Sequence, residues 1–384
     1  MNKVAYVAAF DFDNAEAAKN RFLSLCNVLE KNFQVTKVLT TYPIDKLYDD
    51  KTENWKIRFV KNKSIQNLFL VFILSYYIIK NAKRFDIFII YGGYAFYMLP
   101  FILLKPFFNY KIVYDSVEIY LPMGLMKSIF SPSSWNHIFG YDFLIRFFDG
   151  AICISSFIQQ KHQNQGLKTV IVPPIFLNEN HEIDLKEEKH RESNNKHKIL
   201  FYGFPAKKDS LYNLVKVFIQ NKSLSEKFEV TIIGLNDNQY IKYCHEHGIY
   251  ELPNNFIIKG KLGLERVYEE LKETDFTFLQ RPYTIATKAG FPSKLAESLF
   301  FKIPSVLNLT SDMEKYEIDK CSLVCEDNSL ESLNKVLIFL QNMKKIEIDI
   351  LKDNCKIIYE KYFSIEANRD KINSFILDVN KKSI

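Results

Sequence analysis

Three side chains in one short segment have the types and the spacing of an anion site. The stretch from Arg281 to Leu307, RPYTIATKAGFPSKLAESLFFKIPSVL, runs through a loop rich in Gly, Pro, Thr and Lys into a helical run, Ser293 to Phe301. Ser293 and Lys294 fall where the first turn begins, and Glu297 lies one turn on, on the same face, because residues three and four apart are neighbours on a helix. The amides of a first helical turn have no intrahelical partner and carry partial positive charge, so an anion is stabilised there. A hydroxyl and an ammonium suit a phosphate, and a carboxylate can accept two hydrogen bonds from a diol such as ribose. The amides of Gly290 and Phe291 add donors just upstream, while Pro292 stiffens the approach without offering one.

The elements that must hold these groups alternate along the chain. An apolar strand, Phe276 to Leu279, precedes the segment, and a second apolar strand follows it. In the first half VAYVAAF, FQVTKVL, IRFV, FDIFIIYG, YKIVYD and GAICIS read as short strands, with helical stretches at Ala15 to Glu30, Ile65 to Ala82 and Ser156 to Gln165. The charged run from His181 to Lys198 has almost no apolar residues and reads as a linker or exposed loop. Alternation then restarts with KILFYGF, a helix from Asp209 to Asn221, FEVTIIG, a helix from Gln239 to His247, NFIIKG, a helix from Leu264 to Glu273, and TDFTFLQ. Repeated strand and helix units predict parallel sheets with crossover helices, and ligands at the carboxyl ends of the strands.

Other candidates follow from that rule. Lys207 and Lys208 come just after Gly203 and Pro205, at the start of a helix that Asp209 or Ser210 would cap, and Lys208 is the better placed to reach an anion. Arg281 directly follows strand TDFTFLQ. In the first half Asn14 and Glu16 follow the first strand, Gly92 and Gly93 follow FDIFIIY and permit close backbone approach, and Asp115 and Glu118 follow YKIVY. These six are expected to line a binding site for hydroxyl groups at the carboxyl ends of the first half's strands. Should the chemistry at this end of the sheet need a general base, Glu118 or Asp115 would be the candidate.

Composition bounds the rest. At 384 residues the chain accommodates two domains, and 47% hydrophobic residues is ordinary for a globular protein. The net charge of +6 is modest and makes no case for nucleic acid. Six scattered cysteines, mostly inside apolar runs, read as buried thiols of a reducing cytosol, and Cys321 and Cys325 lack a nearby His pair, which argues against zinc. The N-terminus is not that of a signal peptide. Leu68 to Ile79 is too short for a span of about 20 residues. It reads either as a buried helix or, with the Lys, Phe and Tyr of YMLPFILLKPFFNYK and FLIRFF, as a surface resting on an anionic membrane.

Several of these segments, taken in order, resemble one family. YGFPAKKDSLYNLVKVF, FEVTIIG and KAGFPSKLAESLFFKIPSVLN resemble the donor domain of the GT-B glycosyltransferases, in particular retaining family 4 with its GFP(T/S)KLxE element. DFDNAEAAKNRFLSLCNVL, GAICISSFIQQ and YEKYFSIEANRDKI resemble that family's N-terminal loop and helix, last N-domain unit and C-terminal crossover. The resemblance implies an α/β GT-B fold of two Rossmann-like, doubly wound domains facing across a cleft. The expected divisions are an acceptor domain over 1–178, a linker over 179–197, a nucleotide-sugar domain over 198–358 and a returning helical segment over 359–384.

It further implies a metal-independent hexosyltransferase without a cofactor. Such an enzyme moves a sugar from a UDP- or GDP-sugar to a hydroxyl of a glycan or lipid-linked oligosaccharide, with retention, in cytoplasmic synthesis of capsule or O-antigen. Gly203, Lys207, Lys208, Arg281, Gly290, Phe291, Ser293, Lys294 and Glu297 would bind the donor, with Lys208, Glu297 and Glu118 carrying the chemistry. Two departures stand out. Phe204 replaces an arginine found in many relatives, and Ala289 occupies the position, eight residues before Glu297, of a glutamate that usually positions the donor sugar. That loss keeps two alternatives open, a non-catalytic binding subunit and a sugar-nucleotide epimerase of the same fold.

Overall fold

The structure is a computed structural model that describes residues 2–8, 15–39, 51–54, 63–92, 95–119, 135–136, 138–177 and 196–381. Asn14, Gly93, the strand expected at IRFV and nearly all of the charged linker lie outside the described residues. Contacts divide the chain into two compact units. The first is Met1–Leu177 with Ala289–Phe291 and Phe363–Ile384; the second is Asn178–Lys288 with Pro292–Tyr362.

In the first unit seven strands, β1 (Lys3–Ala8), β2 (Gln34–Leu39), β3 (Thr52–Asn54), β4 (Ile87–Tyr91), β5 (Lys111–Ser116), β6 (Gly150–Cys153) and β7 (Lys168–Ile171), form one sheet in the order β3-β2-β1-β4-β5-β6-β7. Every pairing in it is parallel. Side chains alternate across such a sheet. Val4, Tyr6, Ile87, Ile89 and Val113 pack on one face against Phe22 and Leu25 of α1 (Glu16–Glu30) and Ile372 and Ile376 of the last helix, which spans Ile365–Asn380. Phe88 and Tyr114, of opposite parity, meet Phe101 and Tyr141 on the other face.

That second face is covered by α2 (Lys63–Asn81), by α3 (Ala95–Leu104) and by a helical segment over 139–147. Helix α3 was not among the expected helices, and it carries Pro100 in its interior. Burial of Tyr97, Met98 and Phe101 outweighs the hydrogen bond that Pro100 cannot donate. Strands β3 and β7 were missed as well, being three and four residues long.

A buried ion pair ties α1 to the end of β5. Arg21 Nη2 lies 2.7 Å from Asp115 Oδ1, Arg21 Nε donates to the same carboxylate at 3.0 Å, and Arg21 Nη1 donates to the Val172 carbonyl at 3.2 Å. The Tyr6 hydroxyl donates to Asp115 Oδ2, and burial first, then the Asp115 charge, hold that phenol well above its usual range. Breaking such a pair strands a charge in the core. Arg21→Ala should therefore lose about 3–5 kcal/mol of unfolding free energy by urea titration, whereas Arg21→Met with Asp115→Leu should recover much of it.

On the opposite face His162 bonds Ser116 Oγ through Nε2 and Gln165 Oε1 through Nδ1, both at 2.9 Å, and Ser116 meets the Tyr141 hydroxyl at 3.1 Å. Burial pushes the imidazole down from 6.5 to about 4. Between those values the unfolded chain binds a proton that the folded chain refuses, so stability is complete above 6.5 and falls as the pH drops toward 4. The loss at the lower value is about 3 kcal/mol. His162→Gln should flatten this part of the stability–pH curve, measured by urea unfolding across the same range.

The second unit repeats the plan. Strands β8 (His197–Tyr202), β9 (Phe228–Ile233), β10 (Phe256–Ile258), β11 (Phe276–Leu279), β12 (Ser305–Asn308) and β13 (Leu323–Cys325) form a sheet ordered β10-β9-β8-β11-β12-β13, again parallel throughout. Its helices include α4 (Leu211–Gln220), α5 (Asp237–Glu246) and α6 (Ser293–Phe300). Part of the segment read as a loop before α6 is a short helix over Ile285–Ala289. All six cysteines are free and buried, in keeping with their apolar surroundings in sequence.

Candidate functional site

Strand order decides where the second unit can bind a ligand. The chain runs outward from β8 to β9 and β10 on one side and from β11 to β12 and β13 on the other, so the crevice between β8 and β11 is the switch point. The loop after β8 carries Gly203, Lys207 and Lys208, and the loop after β11 carries Arg281 and leads to α6. Because β8 and β11 are adjacent and parallel, both loops leave the same edge.

Lys294 is the hub of the cluster. Its ammonium reaches Gly203, where an added Cβ would lie 2.9 Å from Nζ, and it sits 4.8 Å above the Phe201 ring. Burial lowers its pKa, Asp209 and Glu297 oppose that shift, and Arg281 and Lys208 reinforce it. Lys294, Lys208 and Arg281 are therefore close enough to repel one another, and two carboxylates moderate the repulsion. Such a group of cations gains from a multivalent anion.

The arginine is held by its backbone as well as by its charge. Asn308, at the end of β12, accepts from the Arg281 amide at 2.7 Å and donates to the Arg281 carbonyl at 2.9 Å. Arg281 Nε stands 3.6 Å from Asp209 Oδ1, and Asp209 Oδ2 accepts from the Ala206 amide at 3.1 Å. Asp209 or Ser210 was expected as the helix cap. The residue at that position is Ser210, whose side chain makes no cap bond, and α4 begins at Leu211.

Helix α6 starts at Ser293, with Pro292 before it and no side-chain cap, so its first amides are available. A run of hydroxyls fastens it to the sheet. Thr277 Oγ1 pairs with Ser305 Oγ at 2.7 Å and donates to Ser298 Oγ at 3.1 Å, and Ser298 donates to the Lys294 carbonyl at 2.9 Å. The Tyr202 hydroxyl donates to that same carbonyl at 3.0 Å. Burial and the adjacent Glu297 carboxylate hold the Tyr202 phenol well above its usual range. Glu297 is half-buried, one turn beyond Ser293 and Lys294.

The structure thus brings Gly203, Lys208, Arg281, Ser293, Lys294 and Glu297 to one place. The rest of the expected set has other neighbours. Lys207 lines a pocket of about 350 Å³ with Phe204, Tyr212, Gln239, Lys242 and His247. Ala289, Gly290 and Phe291 cluster with the first unit: the Ser155 hydroxyl donates to the Ala289 carbonyl at 2.5 Å, and Phe291 is buried 5.8 Å from Phe363. Tyr202 and Asn308 were missed. Each is a polar end to an apolar strand, and that is the signal sequence reading could have used.

In the first unit a pocket of about 400 Å³ is lined by Glu16, Ala18, Tyr91, Gly92, Tyr114 and Glu118 among others. It gathers the described acceptor candidates at the edge of β4 and β5, beside the start of α1. Asp115, at its floor, is a correction. It was expected at the pocket mouth as a hydroxyl binder or base, yet it is fully buried, and its oxygens already accept from Arg21 and Tyr6.

Gly203 has φ +89, and Gly234, with φ +113, packs so closely that an added Cβ would lie 2.7 Å from the Gly203 backbone. Both positions disfavour a side chain by backbone angle, and Gly234 by space as well, since its neighbour is backbone. Gly203→Ala should cost about 1–3 kcal/mol of stability in urea unfolding and displace the Lys294 ammonium.

Comparisons with known proteins agree with this architecture. Residues 182–356 match the family described as glycosyl transferases group 1. No curated protein matches the sequence. A glycosyltransferase from Rickettsia africae superposes with a TM-score of 0.72 at 13% identity, covering 100% of both chains. Anabaena HepE in complex with UDP and glucose gives 0.67 at 12%, over 97% of this chain and 99% of its own. The sucrose-phosphate synthase of Thermosynechococcus elongatus gives 0.69 at 10%, over 99% of each. The chain has the GT-B fold, and its residues 182–356 are similar to the glycosyl transferases group 1.

Proposed function

We propose that the protein is a glycosyltransferase that takes a sugar from a nucleoside diphosphate and transfers it to a hydroxyl. The observation that carries this reading is the convergence of Lys208, Arg281 and Lys294 with the open end of α6 at the switch point of the second sheet. The diphosphate would lie over Gly203, where no side chain obstructs it. Its charge, which grows as the sugar departs, is met by three cations and the helix amides, and a metal ion is not required. Glu297 would accept hydrogen bonds from the ribose diol. The match of residues 182–356 to the group 1 family, and the bound UDP of Anabaena HepE, support a nucleotide donor of this kind.

The acceptor, a glycan or lipid-linked oligosaccharide, would enter the pocket lined by Glu16, Gly92 and Glu118. With Asp115 held by Arg21, Glu16 and Glu118 are the carboxylates lining that pocket that would bind a hydroxyl. Retention fits this arrangement, because the leaving phosphate can take the acceptor proton and no strong base is needed. The reduced thiols fit synthesis in the cytoplasm, and capsule or O-antigen assembly is the kind of pathway that uses such a step.

One observation favours a second reading. Ala289 is fully buried with its carbonyl engaged, so the usual sugar-positioning carboxylate has no counterpart there. A nucleotide-binding subunit without turnover would tolerate that loss.

Calorimetric titration with UDP and GDP in metal-free buffer, followed by turnover of a panel of nucleotide sugars, separates the possibilities. Glu297→Ala and Lys208→Ala should each lower kcat/KM by about 1–3 kcal/mol in transition-state terms, roughly 5- to 150-fold. Nucleotide binding without turnover would select the binding subunit. Failure to bind any nucleotide would sink the donor site itself.

A further inference from the structure

The face of the first unit that lies opposite α1 turns three stripes of large apolar side chains outward. On α2, Leu70, Leu74, Tyr77 and Ile78 are buried, while Phe69, Phe72, Tyr76 and Ile79, at spacings of three and four residues, are exposed. Phe96 and Leu103 of α3 continue to Phe107, and Phe139, Phe143 and Phe147 form a third row with the first two rings stacked at 5.1 Å. Trp135, also exposed, adjoins Phe96, whose amide donates to Asn136. Phe72 is 65% exposed and Phe107 78%, values that ordinary surface helices reserve for charged side chains. Since α2 packs on α3 and α3 on the 139–147 segment, the three rows belong to one layer and share one outward direction.

The charges around the rows have one sign to spare. Lys80 and Lys83 continue the α2 stripe by one turn, and Arg146 lies between Phe143 and Phe147, all exposed and without an ion pair among the described residues. Asp142, the exposed acid of this layer, is already bound by Lys161 at 2.5 Å. Among the described residues no helix is long and apolar enough to cross a membrane. Aromatic rows bordered by uncompensated cations on helices that cannot span are the composition of a layer that lies in a bilayer interface.

We propose that this face docks the protein on an anionic phospholipid surface. Phe69, Phe72, Tyr76, Ile79 and Phe107 enter the headgroup boundary, and Lys80, Lys83 and Arg146 meet lipid phosphates. The helices lie flat, and Phe96, four residues after Gly92, brings the acceptor pocket to the edge of the lipid. The docking stands apart from the donor reading, because none of its residues belongs to the donor site.

Vesicle flotation of the full chain tests it, with phosphatidylcholine alone and with an equal mixture of phosphatidylcholine and phosphatidylglycerol. The mixed vesicles should bind at least about tenfold more tightly, and high salt should weaken the binding. Phe72→Ser with Phe107→Ser, and separately Lys80→Glu with Lys83→Glu, should each lower that affinity by at least about tenfold while leaving nucleotide binding unchanged. Absence of binding to the mixed vesicles at low salt would overturn the proposal, as would equal binding to both compositions. A concentration-dependent dimer in sedimentation, abolished by the Phe72 and Phe107 changes in a protein that ignores vesicles, would assign the face to a second copy of the chain.

Discussion

Every strand pairing described in this protein is parallel, and the rest of the structure follows from that constraint. A parallel strand cannot return by a tight turn, so each needs a crossover, and the loops that leave the carboxyl ends collect on one edge of the sheet. Helices then cover both faces, and most strand positions become apolar. The polar residues that end them, Tyr202 and Asn308 in one sheet and Ser116 in the other, are left at the carboxyl edge of their own sheet.

Within that frame the second unit places cations under strain and supports them. Lys294 gives up hydration to lie against Gly203, and Asp209 and Glu297 offset part of the cost. Its backbone is pinned by two hydroxyl donors, from Tyr202 and Ser298, on one carbonyl. Arg281 is clamped by the Asn308 amide in the same manner. A site held so firmly before a ligand arrives spends little binding energy on ordering itself. The first unit uses its buried charges differently. Arg21 and Asp115 neutralise each other and fix α1 against β5, so that the pocket above them has a rigid floor.

Much of this was legible in the residues. Ser293, Lys294 and Glu297 are local to one helix, and a period of 3.6 residues puts them on one face whatever surrounds them. Gly203 and the lysines after it were legible for the same reason, since a glycine between an apolar strand and a helix marks a turn with positive φ. Lys207 and Lys208 are adjacent, however, and nothing in their order says that one reaches Lys294 while the other lines a separate pocket. Asp115 misled because a carboxylate at a strand end reads as exposed. Its partner, Arg21, is 94 residues away, and long-range partners leave no local trace. Helix α3 went unread, and in it the local cost of Pro100 is overridden by the burial of its neighbours.

The aromatic stretches show the division most plainly. As sequence, Leu68 to Ile79 fits a buried helix first and an interfacial one second, because an unbroken apolar run does not say which of its residues face outward. Tertiary structure decides between them residue by residue, burying Leu70, Leu74 and Tyr77 and leaving Phe69, Phe72 and Tyr76 outside. The sequence by itself determined the class of fold, the helix that begins near Ser293 and the apolar surroundings of the six cysteines, all of which depend on composition and on spacings within a few residues. Only the tertiary structure decided the strand order, and with it the switch point between β8 and β11, the partners of Asp115 and Lys294, and the outward face of α2, because these depend on which distant segments meet.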